Sequence, residues 1–110
     1  AWLRAEARRE LTSVVGECCT ALAIDEPAIT LRDPKTRWGS CSARKTMSFS
    51  WRLILAPPHV LTYVAAHESA HLLELNHSNR FWTLVERLHP DYRRAEAWLK
   101  AHGRELHRYG

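Results

Sequence analysis

Several features are scarce or missing in these 110 residues. No apolar run approaches the roughly 20 residues that cross a bilayer, which excludes a membrane-spanning helix. The chain opens Ala1-Trp2-Leu3-Arg4, charged and helical in character, without the apolar stretch of a secretory signal. There are three cysteines. Cys18 and Cys19 are adjacent and Cys41 stands alone, so there is neither a disulfide framework nor a metal-type Cys spacing, and a reducing, cytoplasmic setting is expected. No internal repeat and no low-complexity tract is present. An initiator methionine is also missing, so we expect residues 1–110 to form a single domain at the C-terminal part of a longer protein.

What is present is a globular composition: 45% hydrophobic, 25% charged and 9% aromatic. The length is that of one ordinary domain, able to hide roughly two-thirds of its unfolded surface. The net charge is +4, mostly from arginine, which permits anionic partners without requiring them. Seven histidines are the unusual feature.

Leu3, Ala7, Leu11, Val14, Val15, Cys18 and Leu22 recur at helical spacing over residues 2–23 and predict an amphipathic first helix. Asp25-Glu26-Pro27 ends it, and Ile29–Arg32 alternates as a short strand does. Residues 36–42 read as a second short strand or ordered loop. A third strand is expected around residues 46–56, with Met47, Phe49, Trp51, Leu53 and Leu55 on one face and Ser48, Ser50 and Arg52 on the other. Pro57-Pro58 stops that strand and suits the first turn of a helix. The second helix is expected from Pro58 to about Leu75, closed by Asn76. Ser78 caps a third helix through Leu88, and a fourth runs from Tyr92 to about His107. The fold class is α+β: an N-terminal helix, a small antiparallel-type sheet of about three strands, then helices.

The second helix contains His67-Glu68-Ser69-Ala70-His71, the pattern HExxH. Residues four apart share one helix face, so both imidazoles can reach a single ion, and Glu68 flanks that ion as a base for its bound water. Neutral imidazole suits Zn²⁺, whose water has a pKa lowered towards about 7. A catalytic zinc wants a third ligand. His77 is favoured, lying just past the expected helix end, and Glu86 and Asp91 compete from later helices. The spacing of His77 equals that of the metzincins. Glu74 stands where those enzymes have glycine, however, and no methionine follows, so that assignment fails. His59, His89, His102 and His107 are read as structural or surface groups. Cys41 is read as a small buried thiol, and Trp38, Trp51, Trp82 and Trp98 as packing.

These residues belong to a longer set of motifs. Thr36-Arg37-Trp38-Gly39-Ser40-Cys41-Ser42, Trp51–Pro58, HESAH, Asn76-His77-Ser78, Phe81-Trp82 and Pro90-Asp91-Tyr92 follow in that order. The chain resembles the YgjP-like family of small metal-dependent hydrolases, neighbours of the SprT-like zincins, over nearly its whole length. The resemblance implies a minimal zincin-like catalytic domain, with His67, His71 and His77 holding one Zn²⁺ and Glu68 as general base. It also implies a peptide bound at an edge strand, for which the strand at 46–56, with Ser48, Ser50 and Arg52, is the expected element.

The leading expectation is a zinc metallopeptidase acting on a peptide or protein, with Arg52, Tyr63 or Arg80 as transition-state stabiliser. The alternative is a nucleotide phosphoanhydride hydrolase at the same site, with Arg37, Arg44, Arg52 and Arg80 holding phosphates. A nucleic-acid-binding module ranks third. Arg4, Arg8, Arg9, Arg93, Arg94, Lys100, Arg104 and Arg108 are interspersed with Glu6, Glu10, Glu96 and Glu105, the pattern of solvated helix faces. Oligomeric state is not legible.

Overall fold

The computed structural model describes residues 2–34 and 37–108, without the side chains of His107 and Arg108. Ala1 and Thr36, named above, lie outside the described residues, as do those two side chains. Helix α1 spans Trp2–Leu22 and buries Ala7, Leu11, Val15, Cys18 and Cys19. It ends with Ala23 at φ 57°, where Ala23 N donates to the Thr20 carbonyl and Ile24 N to that of Cys19. That is the Schellman pattern, satisfying carbonyls the helix leaves open.

Strands β1 (Ala28–Arg32), β2 (Gly39–Cys41) and β3 (Thr46–Ser50) form one sheet in the order β1-β3-β2. β2 is antiparallel to β3, but β1 is parallel to it, so the sheet is mixed rather than antiparallel. The physical reason lies in β3. Met47 and Phe49 are its buried residues on the helix-facing side, and the centre of the sheet is where such a strand has both backbone edges paired. The Ser42–Lys45 turn folds β3 back between β2 and β1, with Lys45 N donating to the Ser42 carbonyl.

β3 is shorter than the alternation predicts. Ser50 accepts a hydrogen bond from Arg52 N at 3.2 Å and caps a 3-10 helix over Trp51–Leu55, so the pattern from Trp51 onward is not a strand. Helix α2 spans Pro58–Ala70 and lies at the centre of the molecule, against α1, β2, the 3-10 helix, α3 and α4. Val60, Leu61, Val64, Ala65 and Ala66 are all buried, as befits a helix packed on most sides. It stops about one turn earlier than expected, capped by His71, which leaves Leu73 and Leu75 45% and 55% exposed. Ser78 caps α3 (Asn79–Leu88) by accepting from Phe81 N, and α4 (Tyr92–Arg108) closes the fold. Among the described residues no helix is long and apolar enough to cross a membrane.

Candidate metal centre

The end of α2 brings three imidazoles together. His67 sits in the last full turn, His71 caps the helix one turn later, and their ring centroids are 5.0 Å apart. The chain then turns through residues 72–76. Among the described non-glycine residues only Ala23 and Lys45 have positive φ, so this turn does not require glycine at Glu74. The turn returns His77 to the site, with its Nε2 3.4 Å from Nε2 of His67. One ligand atom from each of His67, His71 and His77 lies within 4.8 Å of the others, and among the described residues this is the one such cluster. Glu86 and Asp91, the competing third ligands, are outside it and exposed, and Asp91 pairs with Arg94 instead.

The ring orientations are held from outside the cluster. The Nδ1–H of His71 donates to the Glu74 carbonyl at 2.9 Å, and Nδ1 of His67 is 3.3 Å from the Tyr63 hydroxyl. The bond to a carbonyl leaves Nε2 of His71 as its free nitrogen, the arrangement by which an outer partner fixes the tautomer of a metal-binding histidine. Phe81 forms the floor: its ring stacks on His71 at 4.4 Å and meets His67 and His77 edge-on, each at 4.9 Å. Trp82 stacks on His77 from the next position. Ser78 starts the helix that places both aromatics.

Burial, followed by the charge of His71 and His77, pushes His67 down to about 4, so its imidazole is neutral at pH 7. Burial also lowers His71. Glu68 is 5% exposed, and burial alone pushes its carboxyl up to about 7. Its near neighbour is Gly39 of β2. A Cβ there would lie 3.0 Å from Cγ of Glu68 and 3.1 Å from Val64, so glycine is what lets β2 pass this close to α2.

Two nitrogens bound tetrahedrally to one zinc at about 2.0–2.1 Å lie about 3.3–3.4 Å apart. The His67–His77 pair, at 3.4 Å, already has this spacing, and the all-nitrogen donor set, whose atoms lie within 4.8 Å of one another, suits a divalent ion of this kind. Residues 1–102 match the family model described as YgjP-like, metallopeptidase domain. The chain belongs to the YgjP-like family. No curated protein and no solved structure matches it. A metallopeptidase family implies a divalent metal ion and a peptide or protein substrate, and the three histidines are groups that could hold the ion.

Other residues singled out in this YgjP-like domain fall elsewhere. Arg52 is buried, with its Nε 2.8 Å and Nη2 3.3 Å from the Asp33 carboxylate and Nη1 on the Leu106 carbonyl. It ties the end of β1 to α4, whereas the sequence points to substrate binding or transition-state stabilisation. Ser50 is fully buried and spent on capping. Ser48 bonds the Ser40 hydroxyl at 2.7 Å, and its strand is the central one, so the edges of the sheet are β1 and β2 and not the strand expected at 46–56. Tyr63 faces Nδ1 of His67, the side away from the cluster. Arg80 is exposed at the start of α3 and does not line the histidine cavity. Of Arg37, Arg44, Arg52 and Arg80, Arg37 alone lines a cavity beside His67 and Glu68. Cys41 lines the histidine cavity, and burial pushes its thiol up to about 11. The residues missed from sequence are Phe81 as floor and Gly39 as the point of close approach. The spacing of Tyr63, four before His67, was the available signal for an orienting partner.

Proposed function

We propose that this YgjP-like domain is a zinc metallopeptidase, with His67, His71 and His77 holding one Zn²⁺ per chain and Glu68 as the general base. The observation that carries the reading is the convergence of one ring nitrogen from each of three histidines beside a buried carboxyl whose proton affinity is raised towards neutrality. A divalent ion bound there supplies Lewis-acid polarisation of the scissile carbonyl and acidifies a water.

The chain's own residues do the rest. Glu68 takes a proton from the attacking water and passes it to the leaving amine nitrogen, the two-step use of one carboxyl in general acid–base catalysis. β2 presents the substrate. The Trp38 carbonyl and the Ser42 N–H bond to β3, and Ser40 lies opposite Ser48. The alternation of an antiparallel ladder therefore turns the peptide groups of Gly39 and Cys41 outward. Both residues line the histidine cavity, so an extended peptide added to this edge lies across Glu68.

Glu68→Gln tests the assignment. The variant is expected to keep its zinc and to lose about 10²–10⁴-fold in peptide hydrolysis. Undiminished turnover would remove Glu68 from the mechanism, and loss of zinc would make it a ligand.

A further inference from the structure

Next to the histidine cavity lies a second one, of about 220 Å³, that the mechanism above does not use. The two share Gly39, His67 and Glu68. A peptide bond at the Glu68 carboxyl would have its carbonyl on the histidine side, and an adjoining side chain would drop into the second cavity. The walls there are apolar: Trp38, Val64 and Leu99, with the ring of Tyr63. They come from α2, from α4 and from the residue just before β2, and the wall is fixed from behind. Gly103 of α4 packs against the Trp38 ring, where a Cβ would sit 3.4 Å from Cζ2. The volume is below the roughly 300–1,000 Å³ of sites for whole small molecules, which suits one side chain rather than a nucleotide. Arg37 lines the same cavity.

We infer that this cavity is a specificity pocket for one uncharged, apolar side chain of leucine, methionine or phenylalanine size next to the bond that is cut. The inference rests on the peptidase reading. A charged side chain of either sign is refused by the cost of placing an ion on apolar walls, with the like charge of Arg37 added for lysine and arginine and that of Glu68 for aspartate and glutamate. Glycine and alanine leave the cavity unfilled and gain no burial.

The test is cleavage of a mixed peptide library by the zinc-loaded chain, with products read by mass spectrometry, for wild type, Leu99→Trp and Arg37→Glu. Wild type is expected to favour leucine, methionine or phenylalanine at one position flanking the cut by at least about tenfold over glycine, aspartate and lysine. Leu99→Trp fills the pocket and shifts the ratio of phenylalanine to alanine at that position towards alanine by about tenfold or more. Arg37→Glu, an exposed change that spares the core, raises acceptance of lysine there by a similar factor. Uncleavable reduced-amide peptides should follow the same order in affinity by calorimetry. A wild-type profile flat at both flanking positions, equal affinity for leucine and glycine peptides, or an Arg37→Glu profile identical to wild type would overturn the pocket while leaving the peptidase standing. Zinc-loaded protein that cuts no peptide would overturn both.

Discussion

Two corners of this molecule each bury a charged side chain, and they treat it in opposite ways. Where β1 meets α4, Arg52 is 7% exposed and its guanidinium is shared between the Asp33 carboxylate and the Leu106 carbonyl. At the end of α2, Glu68 is 5% exposed, and among the described residues no ion pair or hydrogen bond compensates its carboxylate. A buried charge that serves structure is paired, because an unpaired one costs several kcal/mol. A buried carboxyl left without a cation must shift its proton affinity, and such groups gather where acid–base chemistry is done. The contrast separates an arginine paired within the fold from a glutamate buried without a partner charge among the described residues.

That contrast can be broken experimentally. The largest stability effect is expected at the paired corner. Arg52→Leu removes the buried guanidinium's bonds to Asp33 and to the Leu106 carbonyl and should cost roughly 3 kcal/mol, the upper end for hydrogen bonds to a charged group, since Asp33, 42% exposed, is rehydrated once its partner is gone. Chemical denaturation would read it, and a loss below about 1 kcal/mol would demote the pair to a surface contact.

The unpaired corner should show a pH signature of comparable size. In metal-stripped protein the folded pKa of Glu68 is near 7, against an ordinary 4.5. A raised pKa gives stability that is fully present below pH 4.5 and is lost as pH rises through 7. Relative to Glu68→Gln, wild type should therefore lose about 3 kcal/mol between pH 4.5 and 8. His67, pushed down to about 4, has the opposite slope between pH 4 and 6.5, but it is common to both proteins and cancels in the difference. Parallel stability curves would show that Glu68 is not held in a charge-averse site.

A smaller effect should come from the group that aims His67. Tyr63→Phe removes the hydroxyl 3.3 Å from Nδ1 and should weaken zinc binding by about tenfold, with the fold intact. Competition with a chromophoric chelator would measure it. Unchanged affinity would mean that packing against Phe81 orients the ring by itself.

The helices and the histidine pair were legible because their signals are local. A 3.6-residue period, a serine cap at Ser78 and two histidines four apart each act within a few turns. The rest depended on partners distant in sequence. Trp51, Leu53 and Leu55 alternate as strand residues do, yet Ser50 caps a 3-10 helix there, so Arg52, expected on the strand's other face with Ser48 and Ser50, is instead buried against Asp33. Leu72, Leu73 and Leu75 keep a helical pattern past the point where His71 ends α2 and turns its Nδ1 to the Glu74 carbonyl. Strand direction has no local signal, so nothing in β1 announces that it runs parallel to β3. Gly39 carries no chemistry of its own, and its part in seating β2 over Glu68 is visible only once the two elements are packed.

The most direct test of the central claim is the zinc content and affinity of purified wild type beside His77→Ala. The account predicts about one zinc per wild-type chain, and its loss or marked weakening when the third imidazole is removed. Equal zinc retention by the variant, or a wild type that takes up none after reloading, would contradict it.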